Sequence, residues 1–306
     1  MATEAPTIQR PAGRAWSAAF DDAGPVVAVV LVLIVMWYVA TVALNAAIVR
    51  DAFERAGTSY DTVDLVEATL AQDRPLLPAP HQIVAELGRS VFGVMPTSKR
   101  SLVYHGWVTV SSTLLGFLFG TLLGVALAVA IVHVKALEKS LMPWIVSSQT
   151  IPILAIAPIV IVVMGSIGIR GLVPKAIIST YLCFFPVAIG MVKGLTSPDV
   201  LARDLMRTYS ATAAQTFWKL RLPAAVPFLF ASLKVAVAIA LVGAIVAELP
   251  TGAQAGLGAR LLSGSYYGQT VQIWAALFAA AFLAAALVAL VAFAERVTAR
   301  MMGARP

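Results

Sequence analysis

A single cysteine and three histidines in 306 residues leave little with which to build a disulfide framework or a metal centre. Cys183 sits inside an apolar run and reads as a small packing residue, while His81, His105 and His133 stand far apart in the chain. No Gly-rich phosphate loop, no His-Glu-x-x-His pair and no nucleophile-elbow pattern occurs. With no catalytic cluster on offer, neither an enzymatic role nor a resident cofactor is expected. Charge is equally scarce. Charged residues make up 12% of the chain against 60% hydrophobic, and the mean hydropathy is +0.88. Soluble domains carry about 25% charged residues, so a water-soluble globule of this composition could not cover its surface. The basic excess, net +7, is scattered at the ends of apolar runs. That scatter excludes nucleic acid as a partner and suits cations that anchor spans on the cytoplasmic side of a membrane.

What the chain does have is long apolar runs. A helix needs about 20 apolar residues to cross a hydrocarbon core about 30 Å thick. Six segments meet or approach that length, at about 26–49, 105–132, 142–164, 173–193, 224–249 and 272–294. They predict an all-α, polytopic membrane protein with six transmembrane helices. The first run exceeds the roughly 7–15 residues of a signal-peptide core and lacks a small-residue cleavage site, so it is expected to be retained. Pro143, Pro152, Pro158, Pro174 and Pro186 fall in or beside the third and fourth runs. They predict kinked or broken helices enclosed by neighbours that re-satisfy the freed carbonyls.

Lys and Arg in the short loops favour cytoplasmic termini, with Lys135, Lys139, Lys193, Arg203, Arg207, Lys219, Arg221, Arg296 and Arg300 on the same side. The expected organisation is a cytoplasmic tail 1–25, a membrane domain 26–294 and a cytoplasmic tail 295–306. Within the membrane domain, 50–103 is extracytoplasmic and 195–223 is a cytoplasmic loop. The 50–103 segment is acidic in its first half, with Asp51, Glu54, Asp61, Asp64, Glu67 and Asp73. Leu77-Pro78-Ala79-Pro80 then stiffens the chain before a short helix from His81 to about Phe92. In the following span, Ser112, Gly116, Gly120 and Gly124 recur every four residues, a stripe along which another helix can approach closely.

The 195–223 loop is unusual because it is polar, charged and helix-forming between two spans. Ser197 or Asp199 can cap a helix, with Pro198 at its first turn. Leu201, Leu205, Met206 and Tyr209 then share one face, and Arg203, Asp204 and Arg207 another. Ser210-Ala211-Thr212 interrupts, and a second helix from Ala213 to about Leu220 is expected to stop at Pro223 and Pro227. Such an element either lies among lipid headgroups or presents a surface to a partner.

The order of residues here resembles the EAA loop of binding-protein-dependent ABC importer permeases, in which Glu-Ala-Ala is followed at fixed spacing by Gly, Ile and Leu-Pro. Aligned on Leu222-Pro223, Leu220 takes the Ile position, Ser210 the Gly position, and Asp204, Leu205 and Met206 the Glu-Ala-Ala positions. Leu205, Met206 and Ser210 depart from the pattern. Leu77-Pro78-Ala79-Pro80, Gln149-Thr150-Ile151-Pro152, Ala157-Pro158-Ile159 and Val242-Gly243-Ala244-Ile245-Val246-Ala247-Glu248 are similar to stretches of the nitrate, sulfonate and taurine branch. The Glu248–Gln254 stretch is closer to pyrimidine-like members.

The resemblance implies a type I permease in a bacterial inner membrane, paired with a second copy or a paralogue. Its other partners would be a cytoplasmic ABC ATPase dimer that holds ATP and Mg, and an extracytoplasmic binding protein that delivers a small solute. It further implies that Arg203, Asp204, Leu205, Met206, Arg207, Tyr209, Ser210, Leu220 and Pro223 couple to the ATPase. Leu205 and Met206, where Ala is usual, imply a groove shaped for bulkier side chains. An ion-gradient carrier is the alternative, but the internal repeat and buried acids of that class are not evident.

Two charges inside the spans are candidate gate residues. Lys234 lies eleven residues beyond Pro223, about 16 Å along a helix, where a Lys costs about 2.5–3.5 kcal/mol on insertion scales. It is expected either to snorkel to the cytoplasmic headgroups or to sit near a cytoplasmic gate. Glu248, fourteen residues further on nearly the same face, could line an outer gate, touch a binding protein, or stand in water at the span end. The glycine-rich outer loop 250–270 is too flexible in composition to be a span, and it resembles the outer, gate-proximal loop of the family.

Overall fold

The computed structural model describes the backbone of residues 14–250 and 255–303, with side chains from Gly24 onward. Regular structure among these residues is helical, and it falls into two compact units, 1–84 and 85–306. Five helices are long and apolar enough to cross a membrane, and a sharply bent helix pair supplies a sixth crossing if counted as one span.

The first unit is built on α1 (Arg14–Ala56), whose apolar part begins at Gly24. Regular helix thus starts well before the expected tail ends at residue 25, and residues 1–13 lie outside the described residues. Helix α1 also runs past residue 50, so the 50–103 segment, expected to be extracytoplasmic, opens as its continuation. Helix α2 (Thr62–Leu70) begins with a reciprocal cap. Asp61 accepts from the Val63 and Asp64 amides at 2.8 Å, and Asp64 accepts from the Asp61 amide at 3.0 Å.

The Leu77–Pro80 stretch cannot form a hydrogen-bonded ladder, because its prolines have no N–H. Helix α1 satisfies its backbone instead. Asn45, fully buried, donates to the Leu77 carbonyl at 2.9 Å and accepts from the Leu76 amide at 2.7 Å. Trp37 donates to the Pro78 carbonyl at 3.0 Å. Helix α3 (Pro80–Phe92) follows, matching the short helix expected from His81.

In the second unit, α4 (Leu102–His133) lies directly on α7 (Leu172–Thr196) along the small-residue stripe. A Cβ at Gly116 would fall 2.3 Å from Ser179 Cβ and 2.8 Å from the Ala176 carbonyl oxygen. At Gly120 it would fall 2.1 Å from Cys183 Sγ, and at Gly124, 2.7 Å from the Phe184 carbonyl oxygen. Only hydrogen fits there, and backbone meets backbone: Thr180 Oγ1 donates to the Gly116 carbonyl at 3.2 Å. Cys183 is the packing residue that its surroundings in the sequence suggest. Helix α7 repeats the device on its other side, where Gly190 and Gly194 receive Ser232, Ala225 and Phe228 of α10 (Leu222–Ala247). The core of the unit lies between these three helices, around Ala128, Val187, Met191, Leu195, Ala225, Ala236 and Ala240.

The third apolar run is broken as its prolines require. Helices α5 (Lys135–Ser148) and α6 (Ile153–Ser166) meet at 95°. Pro152 forbids helical geometry at Ile151 and cannot donate, and the freed Ser148 carbonyl accepts instead from the Tyr181 hydroxyl. The fourth run is not broken, since α7 continues as one helix through Pro186. Pro174 occupies its first turn, where an N–H has no partner to lose. Close packing of α7 against α4 and α10 offsets the cost of Pro186, about 3 kcal/mol in an exposed helix.

Pro223 and Pro227 do not stop the preceding helix either. Helix α9 (Ala213–Thr216) widens into a π-turn over Phe217–Arg221 and passes into α10, one apolar rod from Ala213 to Ala247. In the wide turn the Leu222 amide reaches back five residues to the Phe217 carbonyl, so the ladder shifts register just before Pro223. The 250–270 loop contains a helix, α11 (Leu257–Tyr266), and residues 251–254 lie outside the described residues. Helix α12 (Thr270–Met301) runs through most of the expected 295–306 tail, of which 304–306 lie outside the described residues.

The stripe can be tested. Gly120→Ala should destabilise the protein by about 1–3 kcal/mol through overpacking, read as a lower thermal midpoint in detergent. Adding Cys183→Ala removes the nearest clashing atom and should recover part of the loss. Equal midpoints for wild type and Gly120→Ala would show that the two helices do not meet as described.

Candidate functional site

At the end of the bundle where α7 finishes, the chain turns into α8 (Val200–Thr208). Asp199 supplies its cap, accepting from the Ala202 amide at 2.7 Å. Pro198 precedes that cap and does not occupy the first turn. Leu201, Leu205 and Tyr209 are 78%, 56% and 77% exposed, so their shared face has no cover among the described residues. Met206 and Arg203 are half-buried. Asp204 accepts from Arg207 of its own helix at 3.2 Å, a surface pair worth at most about 1 kcal/mol.

Ser210 then takes φ 53°, the left-handed region, and turns the chain. This explains why a glycine suits that position, because Gly enters the region without a Cβ penalty. Thr212 and Gln215 form a reciprocal cap that starts α9. Phe217 and Leu222 pack onto the core beside Leu195, and Leu220 and Pro223 are half-buried alongside. The element is thus a short helix with an open apolar face, held between two rigid rods.

At the opposite ends of α7 and α10 lies a buried polar cluster. Glu248 follows α10 directly and is completely buried. Its Oε1 accepts from Lys175 Nζ of α7 at 3.0 Å, and its Oε2 accepts from Thr109 of α4 at 2.8 Å and from the Gly258 amide of α11 at 3.0 Å. Lys175 Nζ also donates to the Ala255 carbonyl at 2.8 Å. His105 Nδ1 accepts from the Gly256 amide at 3.0 Å, and Thr109 Oγ1 from the Leu257 amide at 2.9 Å. Gly256 has φ 124°, and a Cβ there would fall 2.0 Å from the Glu248 carboxyl carbon. One carboxylate therefore ties four helices together. This overturns the reading of Glu248 as an acid standing in water.

Lys234 is also paired, to Glu295 of α12 at 2.5 Å, with both side chains about one-third exposed. Lys175, Thr109 and His105 escaped the sequence reading. Lys175 looked like a loop-end cation and His105 like an isolated histidine. The signal that could have found the pair was an acid and a base at the same ends of two neighbouring spans.

Beside the cluster, α4, α6, α7 and the chain on either side of residues 251–254 frame a cavity of about 790 Å³. Tyr104, Trp107, Ser111, Arg170 and Lys175 supply its polar and aromatic lining.

A sequence profile described as "Binding-protein-dependent transport system inner membrane component" matches residues 120–303. A probable ABC transporter permease protein of Haemophilus influenzae is 31% identical over 206 residues, 64% of this chain and 82% of that protein. Formylaminopyrimidine transport permease protein ThiX of Halalkalibacterium halodurans is 31% identical over 183 residues, 60% of this chain and 68% of its own length. Riboflavin transport system permease protein RibX of Chloroflexus aurantiacus is 28% identical over 228 residues, 74% of this chain and 80% of its own length. The profile takes in α8, Lys175 and Glu248.

Removing one partner of a buried ion pair costs about 3–5 kcal/mol, because the other is left uncompensated. Glu248→Gln and Lys175→Met should each lower stability on that scale in denaturant titrations of the detergent-solubilised protein. The double variant should be less damaged than the sum of the two by at least about 1 kcal/mol. Additive losses would mean that the two groups do not interact.

Proposed function

Because this chain belongs to the family of binding-protein-dependent transport system inner membrane components, we propose that it forms half of a solute pathway driven by a separate ATPase. The single observation that carries this reading is the uncovered apolar face of α8, with Leu201, Leu205 and Tyr209 projecting from a helix whose two ends are fixed. In this reading the face fills a groove on a cytoplasmic ABC ATPase dimer, which supplies ATP and Mg. Asp204, Arg207 and Arg203 stand at the rim, with Met206 beneath. Ser210 sets the angle at which α8 leaves α9.

The short-loop cations support a cytoplasmic position for α8 and both termini. The Glu248 end then faces the extracytoplasmic binding protein, and a second copy or a paralogue completes the pathway. The ion-gradient alternative would need an acid free to exchange a coupling ion. Glu248 instead holds Lys175, Thr109 and Gly258 at once. For the solute, the names of ThiX and RibX favour a small nitrogen heterocycle over an inorganic anion.

Leu205→Asp and Asp204→Lys test the docking. Either should lower solute-stimulated ATP hydrolysis of the reconstituted complex about tenfold or more, or strip the ATPase from the purified permease. An interfacial helix embedded in lipid headgroups would instead leave both hydrolysis and co-purification at wild-type levels, and the docking reading would then be abandoned.

A further inference from the structure

We propose that the cavity beside Glu248 is a solute-receiving site for a flat, acceptor-rich nitrogen heterocycle, stacked on Trp107 and Tyr104 and hydrogen-bonded by Arg170. This deepens the permease reading given above and rests on it. The cavity, about 790 Å³, falls within the range of small-molecule sites, about 300–1,000 Å³. Its make-up is one-sided, since Arg170 and Lys175 line it and no Asp or Glu does so among the described residues. A solute with a fixed positive charge would find no carboxylate in that lining.

Tyr104 and Trp107 lie three residues apart on α4, hence on one helical face, and Ser111 follows a turn later. Two rings on one wall suit a planar solute, because aromatic stacking tolerates any ring with a π-face. Lys175 is committed to Glu248 and Ala255. Arg170 is exposed and forms no ion pair among the described residues, so its guanidinium is the donor left for a carbonyl or formyl oxygen. The buried pair has its own part in the site. By engaging Lys175, Glu248 keeps a second cation from presenting itself to the solute.

The test uses the complex of this permease with its ATPase in phosphatidylcholine nanodiscs, without the binding protein. Formylaminopyrimidine, riboflavin and taurine serve as probes in equilibrium dialysis. The two heterocycles should bind saturably and taurine should not. Trp107→Ala and Arg170→Gln should each weaken binding about tenfold, the scale of one lost stacking or charge-assisted contact. Trp107→Phe should hold it within about threefold.

Binding that neither variant changes, binding of taurine alone, or no binding of either heterocycle would each overturn the proposal. So would phosphatidylglycerol retained through purification by wild type and lost in Arg170→Gln, since that would assign the cavity to a lipid headgroup. Nucleotide hydrolysis by the same complex is measured in parallel. A permease that never associates with an ATPase defeats the importer reading, whereas full hydrolysis with unchanged dialysis in the variants defeats only the cavity assignment.

Discussion

The approach of α4 to α7 without intervening side chains governs everything else in the larger unit. In lipid there is no hydrophobic force to press helices together, so they associate where small residues let backbones touch. Gly116, Gly120 and Gly124 remove the side chains on one helix, and Gly190 and Gly194 do the same between α7 and α10. Three rods held at that spacing bring Thr109, Lys175 and Glu248 to one point at their far ends. A carboxylate could be shared in this way only among helices already fixed by contacts below it. The order of dependence runs from glycine stripe to helix spacing to buried ion pair.

The pair in turn explains how the connection between α10 and α11 is organised. A buried Glu must be fully satisfied or it destabilises the fold. Here it is satisfied partly by a main-chain amide of α11. That seats the start of α11 against the carboxylate, which excludes any side chain at Gly256, where the backbone is left-handed and pressed against the carboxyl group. Polar groups in this cluster pack a turn of chain that composition alone marks as loose.

Much of this was legible in the sequence. The spans were readable from apolar length, the stripe from its spacing of four, and the break before Ile153 from Pro152. Three features were hidden, each for a physical reason. Pro186 and Pro223 look like helix breakers, but a close-packed neighbour sustains one helix and a π-turn carries the other past its proline. Neither compensation can be read from local propensity. Glu248 and Lys175 stand 73 residues apart, and their pairing follows from helix order in space. The α11 helix sits in a glycine-rich stretch that local chemistry reads as loop, and it is held by the hydrogen bond from the Gly258 amide to Glu248 and by Leu257 packed against α12. The α8 surface was the easiest of all to find, because an apolar face on a charged segment between spans has no other use within the chain.

The continuity of the rod from Ala213 to Ala247 connects the two ends. At 1.5 Å per residue its 35 residues span about 50 Å, longer than the hydrocarbon core. One end begins at the turn that carries α8, and the other ends at the carboxylate that holds α4, α7 and α11. A hinge at Pro223 would absorb motion of α8 within the first turn of the span. The chain instead stays helical through the proline, with the π-turn just before it, and Phe217 and Leu222 seat that turn in the core. On the proposed reading, displacement of α8 would reach the Glu248 junction through this continuous helix. That junction can answer only by shifting as a unit or by exchanging partners around Lys175, since a buried charge cannot be left alone.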